Sequence, residues 1–327
     1  MRANGPTVAN KQLAAGFLLA QPAAYQAVVG KGAVMEGSSS KVLRRATPAL
    51  LLAPGLVLFF VVIVSSAVQT FWLSLHEWDG FGAVRYIGLD NFRELWGDPQ
   101  FWVSLQNNAV WLVVFALAPP LGLGIALLVN QKIAGMRLAK SLFFMPLVLS
   151  LVTVGVIFSW FYDPTFGLLA KMAVLLGVEV PALLSSERYV TLAVVLAGLW
   201  PQVAFCMVLF LAGLNQLNTE IVDAGRVDNA RGWNMLRHVV LPQLKQVGFI
   251  AVAVSMIGAL RSFDIISVMT AGGPFGSSSV LAFQMYEESL FSYRYGYGAA
   301  LATVLFALML IFIVWYVSRL LANESDH

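Results

Sequence analysis

Cysteine is almost missing from this chain of 327 residues, and Cys206 is the single one. One thiol can build neither an internal disulfide framework nor a cysteine-based metal site. Histidine is nearly as sparse. His76, His238 and His327 fall in three separate segments, which speaks against a histidine metal cluster. No stretch matches G-x-x-x-x-G-K-[ST]: Gly30-Lys31 comes nearest, but Tyr25 stands where the first glycine belongs. The chain therefore has no P-loop of its own for ATP. Charge is scarce as well, 11% of residues against about 25% in soluble domains. No nucleophile–base pair or metal-ligand set falls in or near the apolar stretches, which argues against a membrane-embedded enzyme.

What the chain has in quantity is apolar surface, 59% of its residues. A single water-soluble core cannot absorb that share, so lipid must be the solvent for much of it. Six stretches are long enough to cross about 30 Å of hydrocarbon: residues 48–73, 105–129, 142–162, 190–214, 247–270 and 297–320. In lipid the backbone must satisfy its own hydrogen bonds, and continuous apolar runs without alternation do so as helices rather than barrel strands. The expected fold class is an all-α polytopic membrane protein with six transmembrane helices.

The net charge of +3 says little in sum and more in distribution. With the amino terminus inside, fourteen basic residues lie in the inner segments. Five lie in the outer loops (Arg85, Arg93, Lys171, Arg188 and Arg294), and Arg261 lies within a span. The positive-inside bias then puts both termini in the cytoplasm. The basic residues are dispersed over several short segments instead of massed on one face, so nucleic acid is not an expected partner.

Along the chain, residues 1–46 read as a cytoplasmic arm, interfacial or disordered, because the apolar run 13–29 is short and interrupted by Gln21, Pro22 and Gln26. Residues 47–320 form the membrane domain and 321–327 a short tail. The outer segment 74–103 mixes acids with aromatics, and Leu89-Asp90-Asn91-Phe92 suggests a short amphipathic helix on the outer surface. Pro119-Pro120 should bend the second span, and Trp160-Phe161-Tyr162 forms an aromatic belt at the outer end of the third.

One sizeable polar segment separates two apolar spans: residues 220–242, EIVDAGRVDNARGWNMLRHVVLP. Helix formers flank Gly225, Asp228-Asn229 is a turn candidate, and a second periodic run ends at Leu241-Pro242. The segment therefore reads as two short helices with a bend, a compact plug. Its spacing resembles the loop of permease subunits of binding-protein-dependent ABC importers: E-A-A, three residues, G, nine residues, I-x-L-P. Asp223-Ala224-Gly225 takes the E-A-A positions, Asn229 the glycine, Val239 the isoleucine and Leu241-Pro242 the final pair. Among the departures from the pattern are Asp for Glu, Gly for Ala and Asn for Gly. Gly225 costs about 0.5–1 kcal/mol relative to alanine in a helix, so tertiary docking must hold that helix. Asn229 suits a position needing φ > 0.

The resemblance continues over residues 47–320, where the chain is similar to a carbohydrate-uptake ABC permease of the maltose-transporter type. Phe144-Met145-Pro146, Trp160-Phe161-Tyr162-Asp163-Pro164 and Phe263-Asp264 followed by Thr270-Ala271-Gly272-Gly273-Pro274 carry it. The last arrangement resembles the first, MalF-like member of a pair of unlike permeases. The resemblance implies the type I importer fold, with a translocation path among the helices and a cytoplasmic coupling loop over 219–242. It implies a bacterial or archaeal cytoplasmic membrane and four kinds of partner: the bilayer, a second, MalG-like permease, two ATP-binding subunits that hold the ATP and Mg, and an extracytoplasmic solute-binding protein. This chain would itself hold no cofactor or metal and be no enzyme. Glu220, Asp223, Ala224, Gly225, Asp228, Asn229, Leu241 and Pro242 would couple to the ATPase, where Asp223 suits both a helix dipole and a basic partner residue. The activity implied is ATP-driven import of a sugar, polyol or sugar derivative by alternating access. The alternatives are a permease of the same fold for another solute and an ion-coupled secondary transporter. The latter expects a carboxylate coupling site, for which only Asp264 is available.

Arg261 and Asp264 are the only ionisable residues well inside any expected span. Three apart, they share one face of the expected fifth helix. A charge at that depth costs at least about 2.5–3.5 kcal/mol, so the two either neutralise each other and pin the helix to a neighbour, or line the substrate path. Trp200, Gln202 and Phe205 on the fourth span suit a sugar path, with rings for apolar sugar faces and an amide for hydroxyls. Packing would use the same aromatic spacing. Asn107, beside Asn108, reads as a helix–helix hydrogen bond. Gly272, Gly273 and Pro274 should stop the fifth span and stand where part of an outer gate would be.

Overall fold

The computed structural model describes residues 51–324 apart from positions 132, 134, 179 and 180. The arm expected over residues 1–46 lies outside that range. The chain divides into two units, one up to Ala67 and one from Val68 onward. Among the described residues, four helices are long and apolar enough to cross a membrane, and six if each of two bent pairs counts as one span. Helix α1 (Leu51–Ser74) carries exposed Leu51, Phe60 and Ile63, as a lipid-facing span would. A two-residue antiparallel pair, β1 (His76–Glu77) with β2 (Arg85–Tyr86), leads into α2 (Asp90–Gly97), the amphipathic helix expected at that place. Its buried Asn91 donates to the carbonyls of Ser74 and His76.

The second span, Pro99–Val129, consists of α3 (Pro99–Phe115) and α4 (Ala118–Val129). The break falls just before Pro119-Pro120, so the prolines occupy the first turn of α4, where a missing N–H costs nothing. Small residues Ala118, Gly122 and Ala126 let α4 pack closely on α8 (Val190–Leu214). The third span is not the single helix expected over 142–162. It is α5 (Met136–Val148) and α6 (Leu151–Phe161), bent by 104°. Leu149 is extended, and Ser150 caps α6 by accepting from the Thr153 N–H. A short α7 (Leu168–Leu175) follows.

The polar loop folds as two short helices, α9 (Thr219–Val227) and α10 (Trp233–Gln243), and α10 meets α11 (Lys245–Leu260) at 75°. The fifth span also differs from its expected extent, 247–270: α11 ends at Leu260, and the next helix, α12, covers only Asp264–Met269. At the break Ser262 donates its hydroxyl back to the Gly258 carbonyl, the same i−4 bond that Ser255 makes to Ala251 within α11. Phe263 leaves the helix to stack on Phe283 and meet the edge of Tyr286, both on α13 (Leu281–Leu290). Helix α14 (Tyr295–Glu324) completes the described chain.

Candidate functional site

The break between α11 and α12 opens onto a cavity of about 450 Å³. Its walls come from α3 (Trp111, Phe115), the α5–α6 bend (Leu147, Leu149, Leu151), α8 (Gly198, Pro201, Gln202, Phe205), α11 and residues 261–265. Arg261 and Asp264 therefore do not share a helix face. Arg261 caps the end of α11, Asp264 opens α12, and both are exposed side chains on the cavity wall. Among the described residues neither has an ion-pair or side-chain hydrogen-bond partner, the other included. Two unspent charges beside aromatic rings offer a donor fork, an acceptor and apolar faces to one small polar solute. Gln202 and Phe205 stand on the same wall, whereas Trp200 stands outside it, its ring 5.6 Å from that of Phe158. Trp111 and Phe115 escaped the sequence reading. Trp111 lies one helical turn from Asn107, and that spacing was the available signal.

At the far end of α8, the polar loop is locked as a plug. The Asn218 side chain caps α9 at the Glu220 N–H, and Gln243 accepts from the Asn218 N–H while donating to the Val239 carbonyl. Gly225 is buried: a Cβ there would sit 2.9 Å from Val239 Cγ2 and 3.5 Å from Met235. Contact with α10 thus answers for glycine at that position. Asn229 has φ of 59°. The Ala230 N–H reaches the Gly225 carbonyl and the Asn229 N–H that of Arg226, the paired bonds of a Schellman end with Asn229 as the left-handed residue. Asp223 pairs with Arg226 at 2.8 Å, both exposed. Glu220, Ala224, Asp228, Leu241 and Pro242 are exposed as well, as are Ile221, Val227 and Trp233.

At the other end, residues 270–281 form a loop gripped by α3 and α8. Asn107 donates to the Ser277 and Ser279 carbonyls, both at 2.7 Å, and Asn108 accepts from the Leu281 N–H at 3.0 Å. The Thr191 hydroxyl lies 3.1 Å from Asn107 Oδ1 and 3.0 Å from the Ser277 carbonyl. Asn107 thus makes the helix–helix contact expected of it and, in addition, holds loop backbone. Gly272, Gly273 and Pro274 follow the end of α12, with Gly272 at φ of 78°.

A model of the family described as binding-protein-dependent transport system inner membrane component matches residues 27–323. The chain belongs to that family. It is an ABC importer permease subunit. The alpha-glucoside transport system permease protein AglF of Rhizobium meliloti is 32% identical to it over 311 residues, covering 91% of this chain and 89% of that protein. The trehalose/maltose transport system permease protein MalF of Thermococcus litoralis is 30% identical over 272 residues, 82% of this chain and 91% of that one. A bacterial alginate ABC transporter, crystallised in complex with an alginate pentasaccharide-bound periplasmic protein, contains a chain of the same fold. Its TM-score is 0.74 at 18% identity, covering 84% of this chain and 94% of that chain.

AglF and MalF are both named as permease proteins of transport systems. Outside its spans the permease perturbs a few carboxyls. Backbone N–H groups of Gly82 and Phe81 hold Asp79 below the usual carboxylate range, and those of Phe166 and Thr165 do the same for Asp163. Burial pushes Glu288 up against the opposing charge of Arg294, which bridges it to Glu94.

Proposed function

We propose that this permease moves a sugar from an external solute-binding protein into the cytoplasm by alternating access, driven by ATP hydrolysis on two partner subunits and completed by a second permease. The cavity at the α11–α12 break carries the reading, because the Arg261 and Asp264 side chains and the Gln202 carbonyl oxygen, without hydrogen-bond partners among the described residues, stand beside Trp111, Phe115 and Phe205. The names of the relatives, an alpha-glucoside and a trehalose/maltose permease, support a carbohydrate, and trehalose and maltose are the first probes to use. The plug of α9 and α10 is the ATPase contact. Its internal locking suits it to transmit displacement, and its exposed Glu220, Asp223, Ala224, Asp228, Leu241 and Pro242 are available to a partner. The loop with Gly272, Gly273 and Pro274 is the outer gate. In this reading the plug and both termini face the cytoplasm.

Proteoliposomes holding the full complex, with ATP inside and binding protein outside, test it. Uptake of radiolabelled trehalose or maltose should require both ATP and binding protein, and deletion of residues 219–232 should abolish uptake while the subunit still inserts. Uptake driven by an ion gradient without ATP, or full uptake by the deleted chain, would overturn the reading.

A further inference from the structure

We infer that Ser255 is a positioning residue that fixes Gln202 as a hydrogen-bond acceptor toward the substrate, so that the sugar must present a hydroxyl donor to it. The inference rests on the cavity reading above. Ser255 on α11 is fully buried and does not line the cavity. Its hydroxyl has one proton, and that proton goes to the Ala251 carbonyl at 2.8 Å. Toward other neighbours the oxygen can then only accept. Gln202 Nε2 lies 2.9 Å from it and Cys206 Sγ 3.4 Å, so the Gln202 amide nitrogen must face Ser255. The orientation of an amide is decided by such a partner. Here a hydroxyl committed to backbone leaves one choice.

The Gln202 carbonyl oxygen consequently points away from Ser255, and among the described residues it has no partner. Gly258, also on the cavity wall, is its neighbour: a Cβ there would stand at van der Waals distance, 3.6 Å from Gln202 Oε1 and 3.9 Å from Phe115 Cε1. The Ala251 carbonyl, Ser255 and Gln202 thus form a directed chain ending in an acceptor at the cavity. Chemistry that donates there is favoured, namely a hydroxyl of a sugar or polyol, and a group offering only lone pairs is disfavoured.

The test is equilibrium binding of radiolabelled trehalose and maltose to the purified full complex without binding protein, whose own affinity would mask that of the cavity. Gln202→Leu and Ser255→Ala should each raise Kd roughly two- to ten-fold, the range of one net hydrogen bond. The double variant should have the Kd of Gln202→Leu alone, because Ser255 acts through Gln202. A merely structural serine would instead add its own loss. Ser255→Cys should fall between wild type and Ser255→Ala, and it decides the matter should Ser255→Ala fail to assemble. A wild-type Kd in Gln202→Leu or in Ser255→Cys, or additive losses in the double variant, overturns the inference. Asp264→Asn separates the two levels: if it weakens sugar binding while Gln202→Leu does not, only this inference falls. If none of these substitutions changes binding, or wild type binds neither sugar, the cavity reading falls with it.

Discussion

At the scale of single residues, Arg261 and Asp264 sit apart at a helix break, each without a partner among the described residues. Removing either side chain therefore strands no opposite charge. Asp264→Asn and Arg261→Gln should each assemble with the partner subunits at wild-type yield and lower sugar uptake about ten-fold or more, the range for hydrogen bonds to charged groups. Combining them should restore nothing. Reduced assembly in one single variant, recovered in the double, would instead reveal a pair. Gly225 makes the second residue-scale case. A valine there would meet Val239, whose Cγ2 stands 2.9 Å from the site of a Cβ, and overpacking of this kind costs about 1–3 kcal/mol. Gly225→Val should speed hydrogen exchange across α9 and α10 and reduce substrate-stimulated ATP hydrolysis. Unchanged exchange would show that the plug has slack.

At the scale of elements, the loop over residues 270–281 is held from outside itself. Asn107 donates twice to its carbonyls and meets Thr191 on α8, so one side chain ties α3, α8 and the loop together. Asn107→Ala should remove about 2–4 kcal/mol of local stability, taking about 1 kcal/mol for each bond. Hydrogen exchange should then rise in residues 270–281 while α8 keeps its protection. If the loop stays protected, the grip belongs instead to Asn108, to Gln100, which donates to the Gly276 carbonyl at 3.0 Å, and to Ser104, which donates to the Ser279 hydroxyl at 3.4 Å. The broken fifth span belongs to the same scale. Hydropathy runs on through residues 261–269, but α11 ends at Leu260 and the Phe263 ring leaves the helix for Phe283 and Tyr286 of α13.

At the scale of the whole molecule, the parts legible in the sequence were those governed by a period or a local rule. The fourth span emerged with its observed limits, Val190–Leu214, and Asn229 took the left-handed conformation that its place in the loop pattern demanded. Chemistry decided across distant segments was not legible. Trp111 and Gly258 join one cavity wall through packing, from helices far apart in the chain. Trp200 and Gln202 are two positions apart on α8 and so point in different directions. Gln202 reaches the cavity wall, and Trp200 packs its ring against Phe158 of α6. Helical spacing alone could not say which of the two faces the cavity.

Whether the substrate rests at the α11–α12 break is decided by a cryo-electron microscopy reconstruction of the full nucleotide-free complex, prepared with saturating maltose or trehalose. Sugar density is expected in the cavity, within hydrogen-bond reach of Gln202, Arg261 and Asp264 and against Trp111 or Phe115, and it should be lost in Asp264→Asn. Sugar density elsewhere in the complex, with these side chains untouched, would contradict that placement.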